Sequence, residues 1–439
     1  MRNFPAALGA IALVALAGCA GGPPRYGAPP GAPVSHAPMP APPRDERPLG
    51  GDALVRVGLH WEPGTVRLEA PGGLLLCTGP DSTRVAAVEI GTSRDEVTAR
   101  VDGEVVQPGT TLLRVEAAGD ARIAVQGRAF RGALEITARA DSLFVVNVVP
   151  LEDYLRGVVP GEIGARVPEE REAVAAQAVA ARTYTVKRFG QYGSLPFDVY
   201  ASVQDQLYEG AAGEEALADE AIRETRGLVI ADRDGLLEAY YSSTCGGYRA
   251  DIATAWPWRP VHSALRGGPD GDPGAEWCRD SKHFSWEERW SGETLSALVR
   301  AQVPALLELP AGSVRGELRD VRITRHDASG RAEEIEYVTD AGSWTVPGDR
   351  NRWVLRRPDG SILRSTRITL DVRASGGRVE QVIATGGGNG HGVGMCQTGA
   401  KGRARAGASF REILQAYYPG TEVRPLRGSD LPPGRGAAS

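Results

Sequence analysis

From Ala53 to Val149, apolar residues alternate with polar ones or gather into short Val- and Leu-rich runs. Examples are "ALVRVGL", "TVRLEA", "TLLRVEA", "ARIAVQG" and "LEITARADSLFVVNVV". A period of two, interrupted by Gly, Pro or Asp turns, predicts strands. The period changes at Pro150. "PLEDYLRG" places Pro at a first helical position, acids in the first turn and Gly157 at the end, which predicts a short helix over 150–157. A second helix is predicted from Pro168. Glu169, Glu170 and Glu172 lie at its positive end, and Lys187 and Arg188 at its negative end. Val174, Ala178, Ala181 and Thr185 share one face of it, and side chains that small predict close backbone approach and deep packing. Between the two helices, "VVPGEIG" leaves the carboxylate of Glu162 in a short loop between Pro160 and Pro168.

Downstream, Leu217 to Thr225 reads as a further helix. "GLVIADRDGLLEAYYSST" predicts a hairpin turning at Arg233-Asp234-Gly235 and delivering Cys245 at a strand end. "VRITRHDASGRAEEIEYV" predicts a second hairpin around Ser329-Gly330. "RVEQVIATGGGNGHGVGMCQTGAKGRA" reads as strand, Gly-rich loop and helix, and Ser409 with Glu412 forms a capping box ahead of "REILQAYYPG". No internal repeat is evident. The fold class is therefore α+β: β-rich, with several packed helices and mixed β-sheets. A β-rich part covers 51–149 and a second region covers 150–427.

Length and charge narrow the function. The chain has 439 residues, room for two domains or for one large domain with an appendage, and a formal net charge of −5. That charge leaves no electrostatic footprint for nucleic acid, whereas a neutral glycan would be indifferent to it. At the N-terminus, Arg2 precedes the apolar run Ala6 to Ala17, too short to span a bilayer stably, and Leu16-Ala17-Gly18-Cys19 follows. This resembles the lipobox of bacterial lipoproteins. It predicts a signal peptide over 1–18, acylation of Cys19, export and a lipid anchor facing the periplasm. Ala20 after the Cys favours the outer membrane in a two-membrane host. Residues 19–50, rich in Pro, Ala and Gly, read as a disordered tether, and 428–439 as a disordered tail. Cys77, Cys245, Cys278 and Cys396 remain; an exported chain permits disulfides, and four cysteines allow three full pairings.

Several chemistries are excluded by pattern. Ala400 separates Gly399 from Lys401, so the Gly-rich loop is no P-loop, and no register gives G-x-G-x-x-G. The H-E-x-x-H and G-x-S-x-G motifs are absent. Three stretches remain: Glu162 with the following helix, "YYSSTCGG" from Tyr240 to Gly247, and "GHGVGMCQTGA" from Gly390 to Ala400.

"LEDYLRGVVPGEI", "EAVAAQAVAARTYTVKR", "STCGG", "WCRDSKHFSWEE" and "GHGVGMCQTGAKGRA…SFREILQAYYPGTEV" occur in this order. Together they resemble the stage II sporulation protein D family, which includes amidase-enhancer proteins of cell-wall lysis. The resemblance implies a SpoIID-like fold over 150–427. It also implies a peptidoglycan lytic transglycosylase that cleaves MurNAc–GlcNAc bonds of peptide-stripped glycan strands and leaves 1,6-anhydro ends. The family's catalytic acid falls on Glu162. A lone carboxylate suits that reaction, because the substrate's own 6-hydroxyl replaces water and the second carboxylate of ordinary glycosidases. The alternative is a non-catalytic glycan-binding protein that stimulates a cell-wall amidase.

Other residues carry paired readings. Gln177 and Arg182 either bond neighbouring loops or bind glycan, with Arg182 also able to orient Glu162. Tyr184 and Ser243 are further substrate-binding candidates. His391 is either a buried structural imidazole or a contact to sugar or to Glu162. Gln397 either binds sugar or caps a helix. Cys245 and Cys278 form a disulfide, join a zinc site with His283 or His262, or stay free; no cofactor is required by the reaction itself. Cys396 beside His391 suggests a thiol nucleophile as a minor reading. Trp256, Trp258 and Trp277 pack in a core or stack on sugar rings. Two departures from the family pattern stand out: Ile163-Gly164 follows the Glu, and Thr398 takes the place of a common aromatic.

Overall fold

The computed structural model describes residues 53–432, except 165, 166, 194 and 203. The lipobox with Cys19 and the expected tether lie outside the described residues. Among the described residues there are eight α-helices: α1 (Leu151–Ile163), α2 (Arg171–Arg188), α3 (Ala216–Glu224), α4 (Ile252–Ala255), α5 (Gly292–Leu306), α6 (Asn351–Val354), α7 (Gln397–Arg405) and α8 (Phe410–Tyr417). With them go several β-sheets, so the fold is α+β and β-rich.

The alternating segments before Pro150 form most of an eleven-stranded sheet. Its strand Ser142–Pro150 pairs antiparallel with Leu54–Pro63, and the chain enters α1 at the next residue. On its other side Leu54–Pro63 pairs in parallel with Val199–Tyr200, at Val57↔Val199. The sheet therefore takes a strand from beyond α2, and one apolar core runs from Ala53 to Leu431. The β-rich part is a layer of the same body, not a separate domain.

The first helix is longer than its sequence signals. Gly157 does not stop it; a Cβ there would lie 2.6 Å from Tyr208 Cε2, so glycine permits a close helix–loop approach. Pro160 sits inside the helix, which ends at Gly164 with φ 70 and its N–H bonded to the Pro160 carbonyl at 3.2 Å. Glu162 is thus in the last turn of α1, not in a loop.

A 3₁₀ turn at Pro168–Glu170 leads into α2, which is buried without a break from Ala173 to Val186. Helices α1, α3, α7 and α8 all pack on it. Small side chains on every face, not one, make that enclosure possible. The Arg182 guanidinium, 0% exposed, grips Glu152 of α1 with Nε–Oε1 at 2.8 Å and Nη2–Oε2 at 2.6 Å. Its Nη1 donates to the Leu228 carbonyl at 3.1 Å, and Gly227 N–H donates to Glu152 at 3.2 Å. Two helices and the strand Leu228–Asp232 are thereby joined by one buried ion pair.

The expected first hairpin is mostly absent. Leu228–Asp232 pairs with Gly235–Leu236 around Arg233-Asp234, and the return arm then leaves the sheet. Leu228–Asp232 takes Glu422–Pro425 as its other neighbour. Tyr241–Ser242 pairs in parallel with Met395–Cys396 instead, at Ser242↔Cys396, bringing two of the sequence-selected stretches together. The hairpin at Ser329-Gly330 forms between Leu318–His326 and Ala332–Thr339. The Ser409–Glu412 capping box forms at α8.

The region 150–427 is not built around one core. A second apolar cluster, from Trp286 to Ala384, lies under α5 and two three-stranded sheets. The expected tail also begins too early at 428. Gly428–Asp430 is a 3₁₀ turn, Asp430 bonds Arg424 at 2.7 and 2.8 Å, and Leu431 belongs to the main core.

Removing one partner of the buried pair leaves the other charge desolvated and alone. Arg182→Ala is expected to lower stability by about 3–5 kcal/mol in urea unfolding.

Candidate active site

Glu162 is partly exposed at the end of α1. Its Oε1 accepts the Leu207 backbone N–H at 2.7 Å, and the Gln397 amide also donates to the carboxylate. Burial raises its pKa above the usual carboxylate value, and the two donors act against that rise. The net direction is upward, as a proton donor near neutral pH requires. Its placement follows from local sequence: the strand ending at Pro150 aims α1, and Gly157 lets Tyr208 and the segment behind it lie against that helix.

Gln397, at the first position of α7 and 6% exposed, donates through Nε2 to Gln177 Oε1 at 3.3 Å. Gln177 is 0% exposed, and its own Nε2 has no hydrogen-bond partner in the structure. The two glutamines therefore meet as a relay behind Glu162, and Gln177 does not reach a substrate. Arg182 is not part of the site, because Glu152 and backbone carbonyls consume its guanidinium. Tyr184 is buried; its hydroxyl donates to Asp205 at 3.1 Å and Arg188 lies 4.6 Å above its ring. Ser243 contributes its carbonyl, which accepts from the Thr398 N–H at 3.0 Å and hydroxyl at 2.9 Å, so Thr398 fixes the start of α7.

His391 is half-buried between Trp256 and Tyr240, with ring centroids 4.7 and 6.2 Å away. Its Nδ1 accepts the Val393 N–H at 3.1 Å, and the ring also bonds the Tyr241 backbone. Burial pushes its pKa down to about 4, with Arg352 and Arg331 adding to the shift, so the imidazole is neutral. Among the described residues no hydrogen bond joins it to Glu162. With both ring nitrogens engaged, it forms no nucleophile pair with Cys396. The tryptophans do not form one cluster: Trp258 stacks under Arg350 at 4.2 Å, and Trp277 faces Arg403 at 5.2 Å.

The cysteines give a second constellation. Cys245 and Cys278 Sγ lie 3.6 Å apart, far beyond the roughly 2.04 Å of a disulfide, and both are free thiols. Neither expected histidine joins them. His262 bonds Asp232 at 2.9 Å and caps a 3₁₀ turn, while the His283 carbonyl accepts from Gly388 at 2.8 Å. Cys396 and Asp270 complete the group instead; the four ligand atoms lie within 4.8 Å of one another, all buried. Among the described residues, this group could hold a metal ion.

Several residues had no signal in the sequence. Leu207 acts through its backbone. Gln206, which donates to Tyr241 at 2.7 Å, and Asp205, bonded by Tyr184, Tyr192 and the Tyr200 N–H, lie in an irregular segment. Asp270 lies between two Gly-rich turns, and nothing local marks it as a partner of distant cysteines.

Because burial raises the Glu162 pKa, ionising it costs stability. That cost is absent below the unfolded value of 4.5 and grows as pH rises through the folded value. Glu162→Gln is expected to melt higher than wild type at neutral pH, and the gain is expected to vanish below about pH 4.5 in thermal scans.

The chain is similar to several known proteins. The family described as Stage II sporulation protein (SpoIID) matches residues 139–231, and a domain of unknown function (DUF8618) matches 276–394, which encloses the second core. An uncharacterised protein of Brachyspira hyodysenteriae is 27% identical over 346 residues, covering 78% of this chain and 82% of that protein. The amidase enhancer of Bacillus subtilis is 29% identical over 302 residues, covering 61% of this chain but only 40% of its own length. Stage II sporulation protein D of Bacillus subtilis is 24% identical over 301 residues, covering 63% of this chain and 75% of its own. The segment that carries α1, α2, Glu162 and the Leu207 amide thus matches the SpoIID family model, and the chain is similar to Stage II sporulation protein D and to the amidase enhancer.

Proposed function

We propose that this chain acts on the bacterial cell wall as a peptidoglycan lytic transglycosylase, with Glu162 as its single acid and base. The observation that carries the reading is a partly exposed Glu162 whose proton is held by burial and whose anion has two ready donors, Leu207 and Gln397. The protonated carboxyl gives its proton to the glycosidic oxygen as the bond to the MurNAc anomeric carbon breaks. The resulting carboxylate, steadied by the two donors, takes the proton of the MurNAc 6-hydroxyl. That oxygen closes on the anomeric carbon to give the 1,6-anhydro ring, and no water enters. Asp205, two residues before Leu207, is committed to Tyr184, Tyr192 and the Tyr200 N–H, so it is not free to serve as a second acid or base.

The name of the amidase enhancer relative supports a second partner, a cell-wall amidase that supplies peptide-free strands. On this reading the chain is exported and held to a membrane through acylated Cys19, with the Pro-rich segment after it giving reach to the glycan. Cys19→Ala is expected to move the protein from the membrane fraction to the soluble fraction.

Purified protein incubated with denuded glycan strands is expected to yield anhydro-ended fragments by mass spectrometry. Glu162→Gln is expected to lose at least about 100-fold in rate, the lower range for a general acid. Hydrolytic ends, or an undiminished Glu162→Gln, would reject the reading. Amidase stimulation that survives Glu162→Gln would favour the non-catalytic alternative.

A further inference from the structure

We propose that Cys245, Cys278, Cys396 and Asp270 bind one zinc-class divalent cation in tetrahedral geometry, as a structural clamp at the base of the active site. The inference goes beyond the glycan chemistry and does not depend on it. A tetrahedral zinc with bonds of about 2.3 Å to sulfur requires sulfurs about 3.8 Å apart, with a carboxylate oxygen slightly closer. The observed separations are 3.6 Å for Cys245–Cys278 and 3.3 Å for Cys245 Sγ to Asp270 Oδ2. All four ligand atoms fall within 4.8 Å of one another.

Backbone N–H groups point at two of the three sulfurs. Gly247 N–H donates to Cys278 Sγ at 3.2 Å; Cys245 N–H and Gly399 N–H donate to Cys396 Sγ at 3.2 and 3.3 Å. Asp270 is oriented from behind by the Tyr417 hydroxyl at 2.9 and 3.0 Å and by Arg403 Nη2 at 3.2 Å. Such outer partners fix a ligating carboxylate. Arg331, fully buried, donates to the Cys245 carbonyl at 3.2 Å and has two guanidinium nitrogens without a partner in the structure. A buried guanidinium needs an opposing charge. Three thiolates and a carboxylate around a divalent cation leave two negative charges, which Arg331 and Arg403 offset.

The clamp would join the turn after Tyr241–Ser242, the segment leading into the second core and the start of α7. Cys396 immediately precedes Gln397, so the metal would hold the relay to Glu162 in place.

The test uses the full chain in detergent. Elemental analysis after purification is expected to find about one zinc per chain. After chelation, Co²⁺ is expected to restore tetrahedral d–d bands with thiolate charge-transfer absorption. Zn²⁺ alone is expected to raise the melting temperature of the stripped protein by about 5 °C or more. Cys278→Ser and Asp270→Asn are each expected to weaken Co²⁺ binding by at least about 10-fold. Cys77→Ser, outside the cluster, is expected to bind as wild type. If the cysteine variants do not fold, the wild-type stoichiometry and Co²⁺ spectrum decide the matter. Less than about 0.1 zinc per chain with no Co²⁺ charge-transfer band, or a Cys245–Cys278 disulfide in non-reducing peptide mass spectrometry, would overturn the proposal.

Discussion

The buried pair Arg182–Glu152 is the contact on which the site depends. It fixes the angle of α1 on α2 with two charge-assisted bonds, and it reaches Leu228 and Gly227 with the remaining donor and acceptor. A pair so deeply buried is poor value as stability compared with an apolar contact of equal volume. What it supplies is direction. α1 carries Glu162 at its far end, and a small rotation of α1 would separate that carboxylate from the Leu207 amide and from Gln397. The all-round enclosure of α2 serves the same end, because a helix of alanines and valines can be approached closely from every side.

Glu162 is held in a balance of opposed terms. Desolvation favours its neutral form, while a backbone donor and a side-chain amide favour the anion. Either influence alone would be wrong for a group that must first give and then take a proton. The Gln397–Gln177 contact extends the balance inward, since a buried amide with a fixed partner cannot turn away from the carboxylate. The cost is a site less stable than its isosteric variant would be, as is common where burial tunes a carboxyl.

Two cores meet around the Gly-rich return. After the Cys245 turn the chain builds the second core and comes back through Gly387 to Gly394. At Gly392 a Cβ would lie 2.2 Å from Arg331 Nη2, so the buried arginine of the second region reaches Cys245 only because glycine faces it. The thiol cluster draws from the same crossing: Cys245 before the second core, Asp270 and Cys278 at its entrance, Cys396 after it. The parallel pairing of Ser242 with Cys396 sets the two ends in register.

Much of this was legible in the chain itself. The strand period before Pro150, the helix after Pro168, the hairpin at Ser329-Gly330 and the capping box at Ser409 all depend on neighbours a few residues away, and local propensity decided them. Glu162 and the three stretches around it were also marked by sequence. The extension of α1 through Gly157 and Pro160 was not, because Tyr208, fifty residues on, supplies the packing that overrides two helix-breaking residues. Of the two readings of Arg182 only the structural one holds, and nothing local reveals that Glu152 lies opposite it. Asp270 joined the cysteines, and His391 turned from Glu162 to Tyr241, for the same reason. Residue type and spacing fix which groups are available and which local elements form; only the burial and register of distant segments decide which charges meet, which are desolvated, and therefore which can do chemistry.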